Sequence, residues 1–524
     1  MSLNMLLLPP WLLAGFITVY TAIYWFSTRP HDAREPPVIP SGIPYVGHLL
    51  GMVLQGGRYI KELGLEHSKK PIFTLAVPNS RIYIVTDASL AAAVQRSSRA
   101  LSFTPIIPEV TERVFGLDKA TKAIASKNLD PGPGETGGFL SEIQEMTYAW
   151  LGPGDYLGQL TLEAVREMKI EVEHCKNMIS LKVSQTDTVD LLGWVQRLVS
   201  ISTAKYLYGP DNPIARNPGL VEAFWDFDHG LGLLLFNVLP AITAPRAWRG
   251  REKLVAALAE YLESGTYKTG SKIIQERVRI ALKHGWTLQT AAREELSFLF
   301  AGIVNATTST FWIVLQIFAN PDLLAGVRGE LQNVMIKGKE AGPNTLAIDD
   351  LRNNCPLLVA VYRECLRLNS DNNSIRMVKQ TTILADRWYL AKGSIVQIAG
   401  GVIHADPSIW GSNVYEFDPT RFLGHDGLES ERRKERQFHP AAFRAFGGGK
   451  TLCPGRHFAM SEILSLVALI VLQFDIEAPK GGRIKVPKKN DTVLPVHILE
   501  PAELVKVLLR PRDGGTVRIT LTRE

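Results

Sequence analysis

Cysteine is scarce in this chain, with four in 524 residues, at positions 175, 355, 365 and 453. Cysteines so few and so irregularly spaced exclude a disulfide framework and a cysteine-based zinc site, and they favour a reducing, cytosolic setting. Charge of one sign is not in large excess either, since 58 basic residues are set against 52 acidic ones. Because no array of basic and aromatic residues of the kind that grips single strands is present, we expect no nucleic-acid partner.

The chain also lacks low-complexity tracts, internal repeats and a flavin fingerprint of the Rossmann type. Any electrons that its chemistry requires must therefore come from another protein. What it does contain is apolar material, because 46% of its residues are hydrophobic. That share is ample for a large core.

Charge is nearly absent from the first thirty residues, where Arg29 is the only charged side chain. Residues 6–26 are apolar apart from Thr18 and Thr21, and about 20 such residues cross the hydrocarbon core as a helix. A cleaved signal peptide is the alternative, but this stretch lacks a basic start and is long for one. We predict a membrane anchor over residues 1–30, and the basic residues after it favour a cytosolic position for the rest.

Proline and glycine are concentrated in residues 35–47, which hold four prolines and two glycines. This composition predicts an extended hinge over residues 31–48. Residues 49–524 are predicted to form a single catalytic domain. It should begin with a β-hairpin over residues 72–86 and a helix opening at Asp87, continue as mostly helix from about residue 140 to 370, and return to short strands over residues 376–402. The predicted fold class is mainly α with a minor β region.

A second long uncharged stretch lies between residues 297 and 321. A second membrane span is the obvious alternative for it, but Asn305, the hydroxyl residues 307–310 and Gln316 put polar groups at its middle, where hydrocarbon tolerates them least. We therefore predict a helix over residues 294–320 that is buried through a large domain.

A single cysteine lies inside a glycine-dense turn at residues 446–456, FGGGKTLCPGR, just before an apolar-faced helix. Glycines let the backbone approach a flat partner closely, and a helix N-terminus favours a thiolate. A buried structural cysteine would not require glycines at these spacings. A phosphate-binding loop would need glycine where Arg444 stands. A thiolate with one face open to a planar macrocycle is the proximal ligand of a haem-thiolate enzyme.

The turn resembles the haem-binding loop of the cytochrome P450 family, Phe-x-x-Gly-x-Arg-x-Cys-x-Gly. Phe446, Gly449, Cys453 and Gly455 match in register, whereas Thr451 stands at the arginine position. The resemblance implies the P450 fold and haem b, with Cys453 as the iron ligand and the other three matched residues at the cofactor. The chain looks like membrane-anchored, fungal-type members of secondary metabolism, related to a subset with steroid hydroxylases and prostacyclin synthase.

Within the long apolar helix, Ala301, Gly302 and Asn305 resemble the family's oxygen-binding motif and are the candidate catalytic residues. A small residue followed by glycine makes room beside the haem. Positions 304 and 305 usually hold an acid and a threonine that assist proton delivery, but here they hold valine and asparagine. Asparagine donates a hydrogen bond yet has no titratable proton to pass on. The threonines at 307 and 308 would substitute only if the helix bulges, and an amide that merely satisfies its neighbours is the structural alternative.

Other positions follow the family order along the chain. Glu364 and Arg367 lie one helical turn apart, and the resemblance implies that they form a buried network with Arg421 behind the haem. Arg376 resembles the arginine that binds a haem propionate, with an exposed arginine as the alternative. His404 has no paired ligand spacing around it, so a metal site there is not indicated.

The resemblance implies a monooxygenase that uses O2 and electrons from an NADPH-cytochrome P450 reductase. The reductase would dock on the cysteine side, where Lys450, Arg456 and the basic run 432–436 supply positive charge. We expect an apolar small-molecule substrate of terpenoid, steroid, polyketide or alkaloid type, and single-pass anchoring in the endoplasmic reticulum membrane. The missing acid–threonine pair motivates one alternative, a haem-thiolate isomerase or dehydratase that needs no external electrons. A membrane-tethered haem protein without catalysis is the other.

Overall fold

Helices dominate the molecule because most of the chain carries apolar residues at helical spacing. The computed structural model describes residues 10–132, 134–181, 187–338, 343–423, 438–494, 497–513, 515 and 517–522. The α-helices in this part are α1 (Pro10–Thr28), α2 (Gly47–Gln55), α3 (Gly57–Glu66), α4 (Ala88–Arg96), α5 (Ile107–Phe115), α6 (Lys119–Ala125), α7 (Phe139–Trp150), α8 (Asp155–Ser180), α9 (Leu191–Tyr208), α10 (Pro213–Arg216), α11 (Leu220–His229), α12 (Leu231–Phe236), α13 (Pro240–Thr243), α14 (Pro245–Glu263), α15 (Lys272–Lys283), α16 (Leu288–Ala319), α17 (Pro321–Val334), α18 (Ile348–Asn353), α19 (Pro356–Asn369), α20 (Gly400–Ile403), α21 (Pro407–Trp410) and α22 (Arg456–Gln473).

Strands form the minor part of the fold, as predicted. They are β1 (Val38–Ile39), β2 (Ile72–Val77), β3 (Ser80–Val85), β4 (Leu101–Ser102), β5 (Val189–Asp190), β6 (Asn344–Ala347), β7 (Asn373–Val378), β8 (Thr382–Leu384), β9 (Trp388–Leu390), β10 (Ile395–Ala399), β11 (Phe474–Glu477), β12 (Lys506–Pro511) and β13 (Val517–Thr520). The largest described sheet has the order β1-β2-β3-β10-β7-β4, and smaller sheets pair β11-β12-β5, β13-β6 and β8-β9. Short 3-10 helices cover Thr104–Ile106, Thr266–Thr269, Pro419–Phe422, Pro440–Ala442 and Gly449–Thr451.

The predicted hairpin is confirmed: β2 and β3 pair antiparallel, from Ile72 opposite Val85 to Val77 opposite Ser80. Asn79 in the connecting turn has a φ of 58°, a left-handed conformation that asparagine tolerates. The helix predicted to open at Asp87 is also confirmed, because its side chain accepts a hydrogen bond from the Leu90 N–H at the start of α4.

Proline-rich residues ahead of the hairpin lie against the large sheet. β1 pairs parallel with β2, and the buried His48 ring contacts the Ile39 carbonyl at 2.9 Å. The predicted hinge over residues 31–48 thus includes one strand of the sheet and the start of α2, while the division of the chain at residue 48 stays a prediction. The apolar second half of α1 is mostly exposed.

The central helix is buried, as predicted, although it begins six residues earlier than expected. α16 starts at Leu288 because the Thr287 side chain caps it, and it ends where Asn320 caps α17. By length and composition, α16 and α22 are the two described helices apolar enough to cross a membrane, but 72% of each apolar window is buried inside the protein. α16 packs against α9, α14, α19 and α22. It therefore forms the core of the helical region and is not a second membrane span.

Candidate active site

The turn that carries Cys453 is closed by its own backbone. The Cys453 N–H donates to the Phe446 carbonyl at 2.9 Å, and the Gly447 N–H donates to the Arg444 carbonyl at 2.9 Å. Gly447 and Gly449 have φ values of 71° and 63°, a left-handed region that L side chains rarely adopt. These two glycines therefore let the chain reverse direction twice within a few residues.

α7 clamps this turn from outside. The Tyr148 hydroxyl donates to the carbonyls of Lys450 and Leu452, and the Gln144 amide donates to the Lys450 carbonyl at 3.3 Å. Sequence reasoning missed both side chains, because a tyrosine and a glutamine one turn apart on a helix carry no distinctive pattern. They hold the cysteine turn in a fixed position relative to the helical region.

Cys453 lines a largely apolar cavity of about 900 Å³, near the upper end of the roughly 300–1,000 Å³ range of ligand pockets. Burial raises the pKa of the Cys453 thiol, and the Gly455 N–H and the Arg456 charge offset this only in part. The helix end therefore acts in the predicted direction, but burial outweighs it. A bound metal ion would deprotonate a coordinating thiol outright.

The same cavity is lined by one face of α16, including Ala301, Gly302 and Asn305. Ala301 and Asn305 are exposed to it one helical turn apart. The Asn305 side-chain carbonyl accepts a hydrogen bond from the Ile498 N–H at 3.0 Å, which leaves its NH2 group as the donor end of the amide. A Cβ at Gly302 would lie 3.2 Å from the Thr203 side chain, so this glycine also lets α16 approach α9 closely.

Val304, Thr307 and Thr308, which lie near Asn305 on α16, face away from the cavity. Val304 is fully buried in the core. Thr307 and Thr308 are also fully buried, and the Thr308 hydroxyl donates to the Val304 carbonyl at 3.1 Å. The helix continues through these residues without a bulge, so neither threonine replaces Asn305 at the cavity.

Two arginines beside the cysteine turn, Arg376 and Arg444, are buried. The alternative that Arg376 is an exposed arginine is therefore wrong. Arg376 is 5% exposed, lines the cavity and donates to the Thr451 hydroxyl. Arg444, 1% exposed, lies close enough that burial and the Arg376 charge lower its pKa to about 10. Within the described residues neither guanidinium pairs with a carboxylate, and the Arg444 Nε has no hydrogen-bond partner.

These features fit haem b. A buried guanidinium without a carboxylate is an uncompensated charge that would be costly by itself, and at Arg376, which lines the cavity, a haem propionate would supply the missing anion. A thiol side chain at the cavity wall supplies the axial ligand type of haem-thiolate proteins. Cys453 and Arg376, with Thr451 beside the guanidinium, are the residues that would hold the group.

The predicted charge network behind the turn is present. Arg367 donates twice to the Glu364 carboxylate, at 2.7 and 2.8 Å, and Arg421 donates to it at 3.2 Å. Arg367 also donates to the carbonyls of His404 and Val414. Glu364 is fully buried and Arg367 is 1% exposed. His404 itself is a structural residue, since its ring bridges the Ser370 carbonyl and the Arg444 N–H and burial lowers its pKa to about 3.

A buried carboxylate that sequence reasoning missed also lines the cavity. Glu462 on α22 accepts a hydrogen bond from the Tyr206 hydroxyl of α9 at 3.1 Å, and burial raises its pKa to about 8. A single glutamate in an otherwise apolar helix was the available signal, because such a residue is rarely buried without a partner.

Comparison with known proteins gives one consistent result. A family model described as Cytochrome P450 matches residues 269–504. The cytochrome P450 monooxygenase nodJ of the fungus Hypoxylon pulicicidum is 32% identical, covering 96% of this chain and 95% of its own. The cholesterol 7-alpha-monooxygenase of Cricetulus griseus is 25% identical, covering 94% and 96%.

Solved structures share the fold. The retinoic acid-bound cyanobacterial CYP120A1 superposes with a TM-score of 0.67 at 19% sequence identity, covering 91% of this chain and 99% of its own. The cytochrome P450DA haem domain superposes with a TM-score of 0.63 at 18% identity, covering 92% and 98%.

Proposed function

Because this chain belongs to the cytochrome P450 family and is an oxidoreductase of the monooxygenase type, we propose that it is a membrane-anchored enzyme that hydroxylates an apolar small molecule with O2 and NADPH-derived electrons. The predicted resemblance to fungal and steroid hydroxylase-type members is confirmed by the relatives. One observation carries the proposal: Cys453 and the Asn305 face of α16 line a single, largely apolar cavity.

Haem b bound through Cys453 supplies O2 activation and the attack on an unactivated C–H bond. The polypeptide positions the substrate, excludes water and supplies hydrogen-bond donors. The apolar side chains of α16 and α22 exclude water from the cavity. Because Ala301 and Gly302 are small, they leave free space within it. Asn305 keeps its amide oriented through the Ile498 N–H and so presents its NH2 donor to the cavity, although it cannot itself transfer a proton.

Electrons arrive from a separate NADPH-cytochrome P450 reductase in this proposal. A second, shallower pocket on the cysteine side is lined by Arg96, Arg363 and Arg456 next to the glycine turn, and Lys450 is exposed beside them. Such a basic face suits an acidic partner domain, because complementary charge steers association. The basic run at residues 432–436 lies outside the described residues.

Membrane attachment is supported by two apolar surfaces. α1 exposes large apolar side chains, among them Val19, Trp25 and Phe26. A second surface, which we call the apolar rim, consists of exposed apolar side chains on α2, on residues 233–242 and on a neighbouring loop: Leu50, Val53, Leu54, Leu233, Phe236, Val238, Leu239, Ile242, Val493 and Leu494. Exposed apolar patches of this kind mark interaction with membranes or proteins. We propose single-pass anchoring in the endoplasmic reticulum membrane by residues 1–30, of which residues 1–9 lie outside the described part, with the catalytic domain in the cytosol.

The substrate we propose is a terpenoid, steroid, polyketide or alkaloid of secondary metabolism. A cavity of about 900 Å³ accommodates a multi-ring molecule beside a cofactor. One of the similar monooxygenases is a cholesterol 7-alpha-monooxygenase, and cholesterol is a rigid polycyclic molecule, which supports a substrate of that kind.

Cofactor requirements test this proposal. The full-length protein in detergent or vesicles, given apolar polycyclic substrates, should form an oxygenated product only when NADPH, reductase and O2 are all present. Removing any one of the three should reduce product to background, because the chain carries no electron source of its own.

Turnover of a peroxide substrate without NADPH would replace the monooxygenase proposal by the isomerase or dehydratase alternative. Substrate-induced spectral changes without product under every electron supply would support the non-catalytic alternative. A product carrying ¹⁸O from ¹⁸O2 distinguishes oxygen insertion from both.

Asn305 offers a test within the cavity. Asn305→Ala should reduce the product formed per NADPH about tenfold, with the remaining electrons appearing as hydrogen peroxide, because a lost hydrogen bond of about 1–1.5 kcal/mol corresponds to such a factor. Ser297→Ala is the matched control, since Ser297 also lines the cavity but its hydroxyl donates to the Glu294 carbonyl within α16. An unchanged product-to-NADPH ratio with a weaker substrate dissociation constant would instead assign Asn305 to substrate contact.

A further inference from the structure

Three metal-ligating side chains meet where α11 passes the C-terminal loop, away from Cys453, and His497 contacts one of them. Asp228 and His229 are the last two residues of α11, and His497 and Glu500 belong to the loop that also carries Ile498. Ligand atoms of Asp228, His229 and Glu500 all lie within 4.8 Å of one another. His497 lies outside this set, but its Nε2 is 3.4 Å from the Asp228 carboxylate.

Asp228 is the unusual member of this cluster. It is 4% exposed, and within the described part of the chain neither of its carboxylate oxygens makes a hydrogen bond. A buried carboxylate without hydrogen bonds is rare and calls for a bound ion or a similar explanation. The His497 contact at 3.4 Å is an ion-pair distance and leaves the second oxygen of Asp228 without a described partner.

Neighbouring side chains hold these ligands in place. His497 donates its Nδ1 proton to the Ile498 carbonyl at 2.8 Å, so its ring is fixed with Nε2 directed at Asp228. A partner of this kind, outside the ligand set, commonly orients a ligating carboxylate. Glu500 receives a hydrogen bond from Gln196 on one oxygen, at 3.2 Å, and its other oxygen lies 3.1 Å from the His229 Nε2.

We propose that Asp228, His229 and Glu500 form a zinc site that joins α11 to the C-terminal loop, with His497 orienting Asp228. Two carboxylates and one neutral imidazole balance the charge of one divalent cation. One nitrogen and two oxygens, with water at the fourth position, are a donor set that Zn²⁺ accepts in tetrahedral geometry, whereas Mg²⁺ and Ca²⁺ prefer oxygen alone. The His229 side chain is 54% exposed, so the metal has access from solvent.

The competing arrangement is two histidine–carboxylate ion pairs without metal. The Glu500 carboxylate raises the pKa of His229, and although burial disfavours charge on His497, Asp228 outweighs it and the pKa of His497 is raised as well. Protons and Zn²⁺ therefore compete for the His229 nitrogen. Zinc differs in one respect: it would also bind the oxygen of Asp228 that His497 does not contact.

Zinc bound at this site would stabilise one wall of the cavity. His497 and Ile498 line it, and Ile498 holds the Asn305 amide. A metal bridge from α11 would fix this loop, and with it the wall of the cavity, without taking part in the oxidation.

Zinc binding is measured directly on the full-length, haem-loaded protein. After treatment with a chelator, the protein is dialysed against Zn²⁺, and zinc and iron are counted by mass spectrometry. We expect one zinc per chain and no displacement by excess Mg²⁺ or Ca²⁺. His229→Gln and Asp228→Asn should each weaken zinc binding by more than the about 10–100-fold typical of a lost outer-shell partner. Asp226→Asn is the matched control, because Asp226 lies on the exposed face of the same helix.

Equal zinc content in Asp226→Asn, His229→Gln and the unmodified protein would overturn the proposal, as would the absence of zinc from all three. His229→Gln changes an exposed side chain, so it keeps the test valid if Asp228→Asn does not fold. Iron is counted in the same sample, so a failure of the haem proposal and a failure of the zinc proposal give different results.

Discussion

Cys453→Ser abolishes product formation, with an expected loss of about 10³-fold or more, as when a group on which the whole reaction depends is removed. Serine keeps the size of the side chain and the backbone turn, so the Cys453 N–H contact to the Phe446 carbonyl is retained. What is lost is the thiol of the one cysteine among the described residues that line the cavity, which we propose as the iron ligand. The reduced carbon-monoxide difference spectrum should lose the red-shifted band that thiolate ligation produces.

Cys175→Ser is the control for this change. Cys175 is a free, half-buried cysteine on α8, and it does not line the cavity. Its variant should keep both the red-shifted band and turnover. If Cys453→Ser retained the band and full product formation, the assignment of Cys453 as the iron ligand would be untenable.

Glu364→Gln is the second change with a large expected effect, and it acts on stability. The glutamine keeps the shape of the side chain but removes the charge that Arg367 and Arg421 share. Breaking a buried ion pair from one side costs about 3–5 kcal/mol, because the partner charge stays buried without compensation. The free energy of unfolding from urea titration should fall by that amount, and the fraction of chains that retain haem should fall with it.

Glu416→Gln supplies the comparison, since Glu416 is an exposed carboxylate in the segment that Arg367 and Arg421 hold. Its effect should stay within about 0.5 kcal/mol. In addition, Glu364→Gln combined with Arg421→Gln should cost less than the sum of the two single changes, because the members interact directly. If Glu364→Gln were as stable as the unmodified protein, the interactions among Glu364, Arg367 and Arg421 would make no net contribution to stability.

The sequence was most informative where chemistry restricts residue types closely. The turn at residues 446–455 needs glycine at left-handed positions and a sulfur at the cavity, so its pattern alone indicated a haem-thiolate site. The Glu364 network was predictable for the same reason, because the carboxylate and its helical arginine are one turn apart. The resemblance then added Arg421, which only the fold brings to them.

Other features depend on contacts between distant segments. The start of α16 was placed too late because Arg293 looks like a surface residue ahead of the uncharged stretch, whereas Glu252 pairs with it. Tyr148 reaches the cysteine turn across some three hundred residues. His497 meets Asp228 in the same way. The spacing of residues near any one of these positions gives no sign of such distant pairings.

The apolar rim has a kinetic consequence. Met52, Leu235 and Leu494, on the same short segments as the rim, also line the cavity, so the way in lies beside the surface that we place against lipid. The quantity that governs saturation is then the mole fraction of substrate within the bilayer and no longer its molarity in the buffer. Adding empty vesicles at constant total substrate should slow turnover by surface dilution, most strongly for the compounds that partition best.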